Sequence, residues 1–276
     1  DLIQERKEDL ARTITLEEGK VITEGRLEVE RCLQTIIFSA EEAKRLQSEI
    51  IPLDAAPGNS GKFGFTLRVP VGIVAAISPF NFPLNLVAHK VGPALAAGNS
   101  VVLKPASDTP LSALKLTEIM IDSGFPPESI QCITGSGSII GNALVSNPKI
   151  RKVTFTGSQE VGEAICKSAG IKKVTMELGS NSPLVVLPDA DLEKVALATT
   201  QSGFSNAGQV CISTQRVIVD QSVYSDYLDA LVPVVESLKM GTPIEDPVKL
   251  GPMVREEDAV RVSEWISEAV DGGAKL

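Results

Sequence analysis

Histidine occurs once in these 276 residues, as His89, and cysteine four times, as Cys32, Cys132, Cys166 and Cys211. No two cysteines form a C-x-x-C pair, so the sequence offers no zinc site and no redox dithiol, and no metal is expected. A Ser-His-Asp or Cys-His arrangement would have to use His89, in "NLVAHKVGPALAAG", where a solitary helix histidine reads as structural. A nucleophilic cysteine here would therefore take a carboxylate as its base. Positive charge is scarce as well: 26 Lys and Arg against 35 Asp and Glu give a net charge of -9. With no long basic run, the chain is a poor binder of nucleic acid or of an anionic membrane surface. No apolar run is long enough to span a bilayer. The opening "DLIQERKEDLARTI" is charged and has no apolar signal core, so a cytoplasmic location is expected, and disulfides are not.

What is present is apolar residue, 43% of the chain, enough for one large domain or two ordinary ones. The chain to about Gln47 is charged and helical in pattern. "IPLDAAPGNSGKFGFTLRVPVG" is punctuated by Pro and Gly and reads as a hairpin or extended arm. An alternation follows. "VGIVAAIS", "SVVLKP", "SIQCITG", "KVTFTG" and "KKVTMELG" read as strands. Between them, "LNLVAHKVGPALAAG", "TPLSALKLTEIMIDSG", "SIIGNALVSN" and "QEVGEAICKSAG" read as helices. In the second helix Thr109 is the expected N-cap, with Pro110 at the first helical position and Gly124 past the end. Such alternation predicts a parallel sheet with helices on both faces. Beyond "NSPLVVLP" it restarts, with a helix near 190–203, the strand "QRVIVD" and helices near 222–240 and 256–271, predicting a second α/β domain.

Ligands of open parallel sheets bind at the carboxyl ends of the strands. The unusual residues stand there: "SPFNFP", "KPASDTP", "TGSGSIIG", "FTGSQEVG" and "ELGSN" follow the five strands in turn. "TGSGSIIG" spaces Gly135, Gly137 and Gly141 as G-x-G-x-x-x-G, not as the usual dinucleotide fingerprint; turn glycines or a phosphate cradle would both account for it. Gly157 and Ser158 open a helix whose N–H groups could hold a phosphate. Cys32, Cys132 and Cys166 read as small buried hydrophobes. Cys211 differs, standing directly after the "GQV" of "FSNAGQVCIST".

These residues together resemble the aldehyde dehydrogenase superfamily. The likeness runs through "SPFNFPL", "GPALAAGNSVVLKPASDTP", "FTGSQEVG", "MELGSNSPLVV", "FSNAGQVCIST" and "KLGPMV", in the family's order and at its approximate spacings. It implies an open Rossmann-like α/β domain at 1–50 and 71–178, an oligomerisation hairpin at 51–70, and a catalytic α/β domain at 179–276. By this resemblance Cys211 is the thiol that attacks an aldehyde carbonyl to form a thiohemiacetal. Hydride then passes to a nicotinamide, and the thioester is hydrolysed. A thiolate is the competent nucleophile, and Gly208 permits close approach of chain and substrate. Glu177 in "MELGS" resembles the general base for the hydrolytic water, a task favoured by partial burial; alone it would read as a solvated strand-end carboxylate. Asn81 in "PFNFP" resembles the donor to the developing oxyanion; alone it would read as a turn residue.

The cofactor positions carry over in the same way. Ile77, Ser78, Pro79, Phe80 and Asn81 follow the path of the dinucleotide. Lys104 and Ser107 face the adenosine ribose, and Gly137 and Gly141 the adenine. Phe155, Gly157 and Ser158 approach the pyrophosphate with Val161 beneath, while Glu177, Leu178, Gly179 and Cys211 lie by the nicotinamide. Many NAD-preferring members have a glutamate three residues after the lysine. Here Ser107 stands in that place, so NADP is expected to be accepted and preferred, with NAD still usable. Its neighbour Asp108 could replace the glutamate in part, or cap the following helix. Where the family often reads "ELGGK", this chain has Ser180 and Asn181. It ends at "DGGAKL", before the family's E-x-F-G-P segment, and starts inside a helical region, so an incomplete version of a longer enzyme is expected. Two expectations follow. One is an NAD(P)-dependent oxidation of small polar aldehydes to acids by a homodimer or homotetramer. The other is a noncatalytic relative that keeps the fold and nucleotide binding.

Overall fold

The computed structural model describes residues 1–276. The chain opens with α1 (Leu2–Glu5), α2 (Lys7–Glu18) and α3 (Ile22–Ala43). Leu10, Ala11 and Ile14 of α2 and Ile22, Val29 and Cys32 of α3 recur at helical spacing, and they are the buried apolar side chains of the two helices. A short antiparallel hairpin follows, β1 (Ile50–Ile51) with β2 (Gly64–Phe65), where the arm was expected. Phe63, Phe65, Leu67 and Val69 on it are exposed.

The alternating region then runs β3 (Ile73–Ile77), α4 (Asn85–Ala96), β4 (Ser100–Lys104), α5 (Leu111–Asp122), β5 (Ile130–Cys132), α6 (Asn142–Ser146), β6 (Ile150–Thr156), α7 (Gln159–Ala169) and β7 (Lys173–Glu177). The strands form one parallel sheet in the order β5-β4-β3-β6-β7. The pleat sends alternate side chains to opposite faces. Val74 and Ala76 of β3 join a core with Leu10, Val87 and Leu116 from α2, α4 and α5. Ala75 and Ile77 join a second core with Leu144, Ile165 and Ala169 from α6 and α7. Each fully buried Val or Leu contributes about 1.5–3 kcal/mol, so helices on both faces are what hold this sheet.

After β7 the chain forms β8 (Ser182–Val186), α8 (Leu192–Phe204), β9 (Thr214–Val219), α9 (Tyr224–Glu236) and α10 (Glu256–Asp271). β8 and β9 pair in parallel as a separate two-stranded sheet. The buried Tyr227 of α9 donates its hydroxyl to Thr199 Oγ1 on α8 at 3.0 Å. No helix is long and apolar enough to cross a membrane.

Two local expectations are corrected. Thr109 does not cap α5: it is buried and its hydroxyl points to the Phe80 carbonyl at 3.4 Å. The cap comes from elsewhere in the chain, because the Glu17 carboxylate at the end of α2 accepts the Leu111 and Ser112 N–H groups at 2.6 and 3.0 Å. A carboxylate at a helix N-terminus satisfies free donors and complements the dipole, so the local hydroxyl is not needed. Cys166 is exposed rather than buried. Ile165 and Ala169, four residues apart, hold the inward face of α7, and the next position turns away from it.

Candidate active site

The order of the five-stranded sheet reverses at β3: β4 and β5 lie to one side, β6 and β7 to the other. Such a switch point opens a crevice at the carboxyl ends of the strands. Ile77 is in register with Lys104 on one side and Phe155 on the other, and Thr156 with Glu177. The loops of Ser78–Asn81, Lys104–Ser107, Phe155–Ser158 and Glu177–Gly179 therefore leave one edge together. The β5 loop joins them, since the Ser107 hydroxyl donates to the Gly135 carbonyl at 3.2 Å.

The residues at this edge fit a dinucleotide. Ser78 Oγ is buried and has no hydrogen-bond partner, a polar atom left free at the switch point. Gly137 and Gly141 face open space where any Cβ would stand. Ser158 caps α7, its hydroxyl accepting from the Val161 N–H at 3.4 Å. A Cβ at Gly157 would lie 2.4 Å from the Phe155 ring and would force that buried ring aside. Leu178 packs against Gly162, while Val161 and Gly179 are exposed. Lys104 is buried, with its ammonium donating to the Pro105 carbonyl at 2.8 Å. Asp108 does not cap α5; its carboxylate is paired with the Arg255 guanidinium just before α10.

Cys211 stands on the turn between α8 and β9. Asn206 and Ala207 adopt left-handed backbone with φ 50° and 55°, and Gly208 follows at 77°. Three successive residues in that region reverse the chain sharply, and only the last is glycine. The turn is held by the loop after β3: Asn81 Nδ2 donates to the Gln209 carbonyl at 2.7 Å. Gln209 in turn donates Nε2 to the Asn206 carbonyl at 3.1 Å and accepts from the Val254 N–H at 3.1 Å. From the β7 loop, the Ser180 hydroxyl donates to the Cys211 carbonyl at 2.6 Å. The departure at Ser180 thus supplies a tether between two site loops. Cys211 is exposed and lines a cleft of about 880 Å³ with Arg31, Gln34, Phe38, Phe82 and His89.

Glu177 ends β7 with its side chain exposed, not partly buried as expected. The cause is its strand: β7 is the edge of the sheet, and most of its residues are exposed. Its charge reaches α4. Burial pushes the Lys90 ammonium down to about 8 and the Glu177 carboxylate opposes that shift; the same two influences, joined by repulsion from Lys90, act on His89. Lys90 donates to Thr156 Oγ1 at 2.6 Å.

The sequence reading missed the support behind this site. Lys20, between α2 and α3, has a fully buried ammonium that donates to Glu28 Oε2 and to the Asn81 carbonyl, both at 2.6 Å. Glu28 Oε1 accepts the Leu84 and Asn85 N–H groups at the start of α4, at 2.9 and 3.0 Å. Glu18 Oε1 accepts from Asn206 Nδ2 at 2.6 Å, and burial raises the Glu18 carboxyl to about 7 despite the nearby Lys20. The only sequence signal was a helix-terminal "EEGK" with a glutamate eight residues on.

The whole chain, residues 1–276, matches the model of the aldehyde dehydrogenase family. The chain belongs to that family. It is 51% identical over 276 residues to the 3-sulfolactaldehyde dehydrogenase of Priestia megaterium, covering 100% of this chain and 58% of the relative. It is 41% identical over 278 residues to the NADP-dependent succinate-semialdehyde dehydrogenase of Escherichia coli, covering 100% of this chain and 57% of the relative. Among solved structures it resembles the glyceraldehyde-3-phosphate dehydrogenase of Bacillus halodurans complexed with NADP. There the TM-score is 0.97 at 40% identity, with 100% of this chain and 58% of that one covered. The chain spans a little over half the length of these relatives. The Rossmann-like α/β fold expected for an aldehyde dehydrogenase is the one found.

Proposed function

We propose that this chain carries the nucleophile, oxyanion donor and dinucleotide edge of an NAD(P)-dependent aldehyde dehydrogenase that releases a carboxylic acid. The observation that carries the reading is the hydrogen bond from Asn81 to the Gln209 carbonyl at 2.7 Å. It joins the loop at the sheet's switch point to the turn bearing Cys211, 128 residues away. The Cys211 thiolate attacks the aldehyde carbonyl, and the charge that develops on its oxygen is met by the Asn81 amide and the Cys211 N–H. The Asn81 amide does this with the N–H it does not give to Gln209, and such donors lower the barrier by meeting charge as it develops. Ser78, Lys104, Ser107 and the α7 N-terminus would hold NADP or NAD at the strand ends, and the cofactor would supply the hydride acceptor. Glu177 then takes a proton from the water that opens the thioester.

NADP is the favoured cofactor in this reading. Ser107 is neutral, and the one nearby acid, Asp108, is already paired with Arg255. Relatives carrying NADP in their names or complexes support it. The substrate is a small aldehyde with a polar or anionic tail: Arg31 and Gln34 line the Cys211 cleft, and relatives are named for sulfolactaldehyde and succinate semialdehyde. The exposed β1–β2 hairpin offers a strand edge for subunit pairing in a homo-oligomer.

The test is absorbance of NAD(P)H formed with short aldehydes, on this chain and on any longer product of the same gene. Cys211→Ala is expected to abolish it while cofactor binding is retained. Near-normal turnover by that variant would remove Cys211 from the mechanism. Cofactor binding with no turnover in any form would leave the noncatalytic reading.

A further inference from the structure

We propose that Lys20 is a positioning residue for the acylation step, acting through Asn81 and through the turn that carries Cys211. The proposal rests on the reading of Asn81 as the oxyanion donor. The Lys20 ammonium is withdrawn from solvent and stands at the centre of four groups. It donates to Glu28 Oε2 and to the Asn81 carbonyl at 2.6 Å, lies 3.9 Å from the centroid of the Phe82 ring, and is 3.8 Å from Glu18 Oε2. The Asn81 carbonyl accepts a second bond, from Asn206 Nδ2 at 3.3 Å. Asn206 is itself fixed by Glu18, and its N–H points at the Glu24 carboxylate at 3.2 Å. One buried cluster therefore holds both walls of the site: the peptide from which the Asn81 amide projects, and the left-handed residue that begins the turn to Cys211.

Stability alone is a poor reason for this arrangement. Burying an ion pair costs about as much desolvation as the pair returns, and an apolar replacement is often neutral. What an apolar side chain cannot supply is a directional, charge-assisted bond to one carbonyl. That bond fixes the plane of the Asn81 peptide and so the direction of its side chain. An oxyanion donor misplaced by a fraction of an ångström loses much of its effect.

The test compares two reactions of Cys211 that need no dinucleotide. In the first, the thiolate attacks p-nitrophenyl acetate, expels p-nitrophenolate and keeps the acetyl group as a thioester; an oxyanion develops on the carbonyl. In the second, it displaces iodide from the saturated carbon of iodoacetamide, and no oxyanion forms. Cys211→Ala gives the background of the other thiols, including the exposed Cys166. Lys20→Met is expected to lower the acylation-to-alkylation ratio about tenfold or more, and Asn81→Ala about a hundredfold. The double variant is expected to match Asn81→Ala alone, because both changes remove one function. Asn206→Gly leaves the Lys20–Glu28 pair intact and suits the left-handed backbone. It is expected to lower the ratio in the same direction, and it decides the matter if Lys20→Met does not fold. An unchanged ratio in the folded Lys20 and Asn206 variants, with a reduced ratio in Asn81→Ala, would overturn the positioning role and spare the oxyanion reading. An unchanged ratio in Asn81→Ala itself would overturn both.

Discussion

Replacing Ser107 by glutamate tests the cofactor reading, because the structure leaves that position exposed and its one acidic neighbour paired. Ser107 is exposed at the mouth of the β4 loop, and its hydroxyl is spent only on the Gly135 carbonyl, 3.2 Å away. The acid next to it, Asp108, is neutralised by the Arg255 guanidinium, whose pKa that pairing raises. A glutamate at 107 would introduce an unpaired negative charge at the place proposed for the adenosine ribose. Two unit charges about 4 Å apart repel by about 1 kcal/mol in a water-like dielectric. A ribose 2′-phosphate carries close to two charges at neutral pH, so the cost to NADP is about 2 kcal/mol, or about thirtyfold in affinity. NAD, with a 2′-hydroxyl, instead gains an acceptor. Fluorescence titration with NADPH and NADH reads the ratio of dissociation constants directly. The native chain is expected to prefer NADPH, and Ser107→Glu to shift the ratio toward NADH by about tenfold to thirtyfold. Raising the salt should shrink the shift, since an exposed charge is screened. Strong native discrimination against NADPH, or a ratio moved by less than twofold in the variant, would refute the reasoning.

Two further predictions concern the buried cluster. Glu28→Ala removes the acceptor for two N–H groups at the start of α4 and leaves the Lys20 ammonium without its closest carboxylate, so urea unfolding should show a loss of about 3–5 kcal/mol; Glu28→Gln should lose less, and a loss below about 1 kcal/mol for the alanine would contradict the geometry. Glu18 titrates near 7 when folded and near 4.5 when unfolded, so the folded chain binds the extra proton between those values. Its contribution to stability is complete below pH 4.5 and is lost as pH rises through about 7. Relative to Glu18→Gln, the native chain should therefore lose up to about 1.4 kcal/mol per pH unit across that window, and parallel stability curves would show that Glu18 is not desolvated.

The alternating elements were legible because buried parallel strands such as "IVAAI" and "SVVLK" are apolar along their whole length and stand between helices closed by glycine. Positions at strand ends follow from that alternation, so Ser78, Lys104, Gly157 and Glu177 fall at one sheet edge without further information. Contacts between distant segments were not legible. Thr109 carried the local signature of a cap, yet Glu17 from α2 does the capping. Lys20 and Glu28 fall in a stretch legible only as charged and helical, and their burial comes from contacts with the Asn81 carbonyl and the start of α4. Arg255 pairs with Asp108 across 147 residues, a distance no spacing rule spans. The roles of Cys211 and Asn81 came through resemblance; their connection through Gln209 came from the structure.

The uneven distribution of the core has a dynamic consequence. Both faces of the five-stranded sheet are covered by large apolar clusters, whereas beyond Gly179 the buried apolar side chains are only Val186, Ala196, Tyr227 and Val248. Regions with few buried contacts open more often than the body they adjoin. In this chain the amide hydrogens of β8 and β9 should exchange with solvent well before those of β3 and β4. Cys211 rides on the faster-exchanging segment, while its tether at Asn81 belongs to the slower one. The already exposed thiol is thus joined to that body by a handful of polar bonds, and how long it stays aligned with the Asn81 amide depends on how often they break.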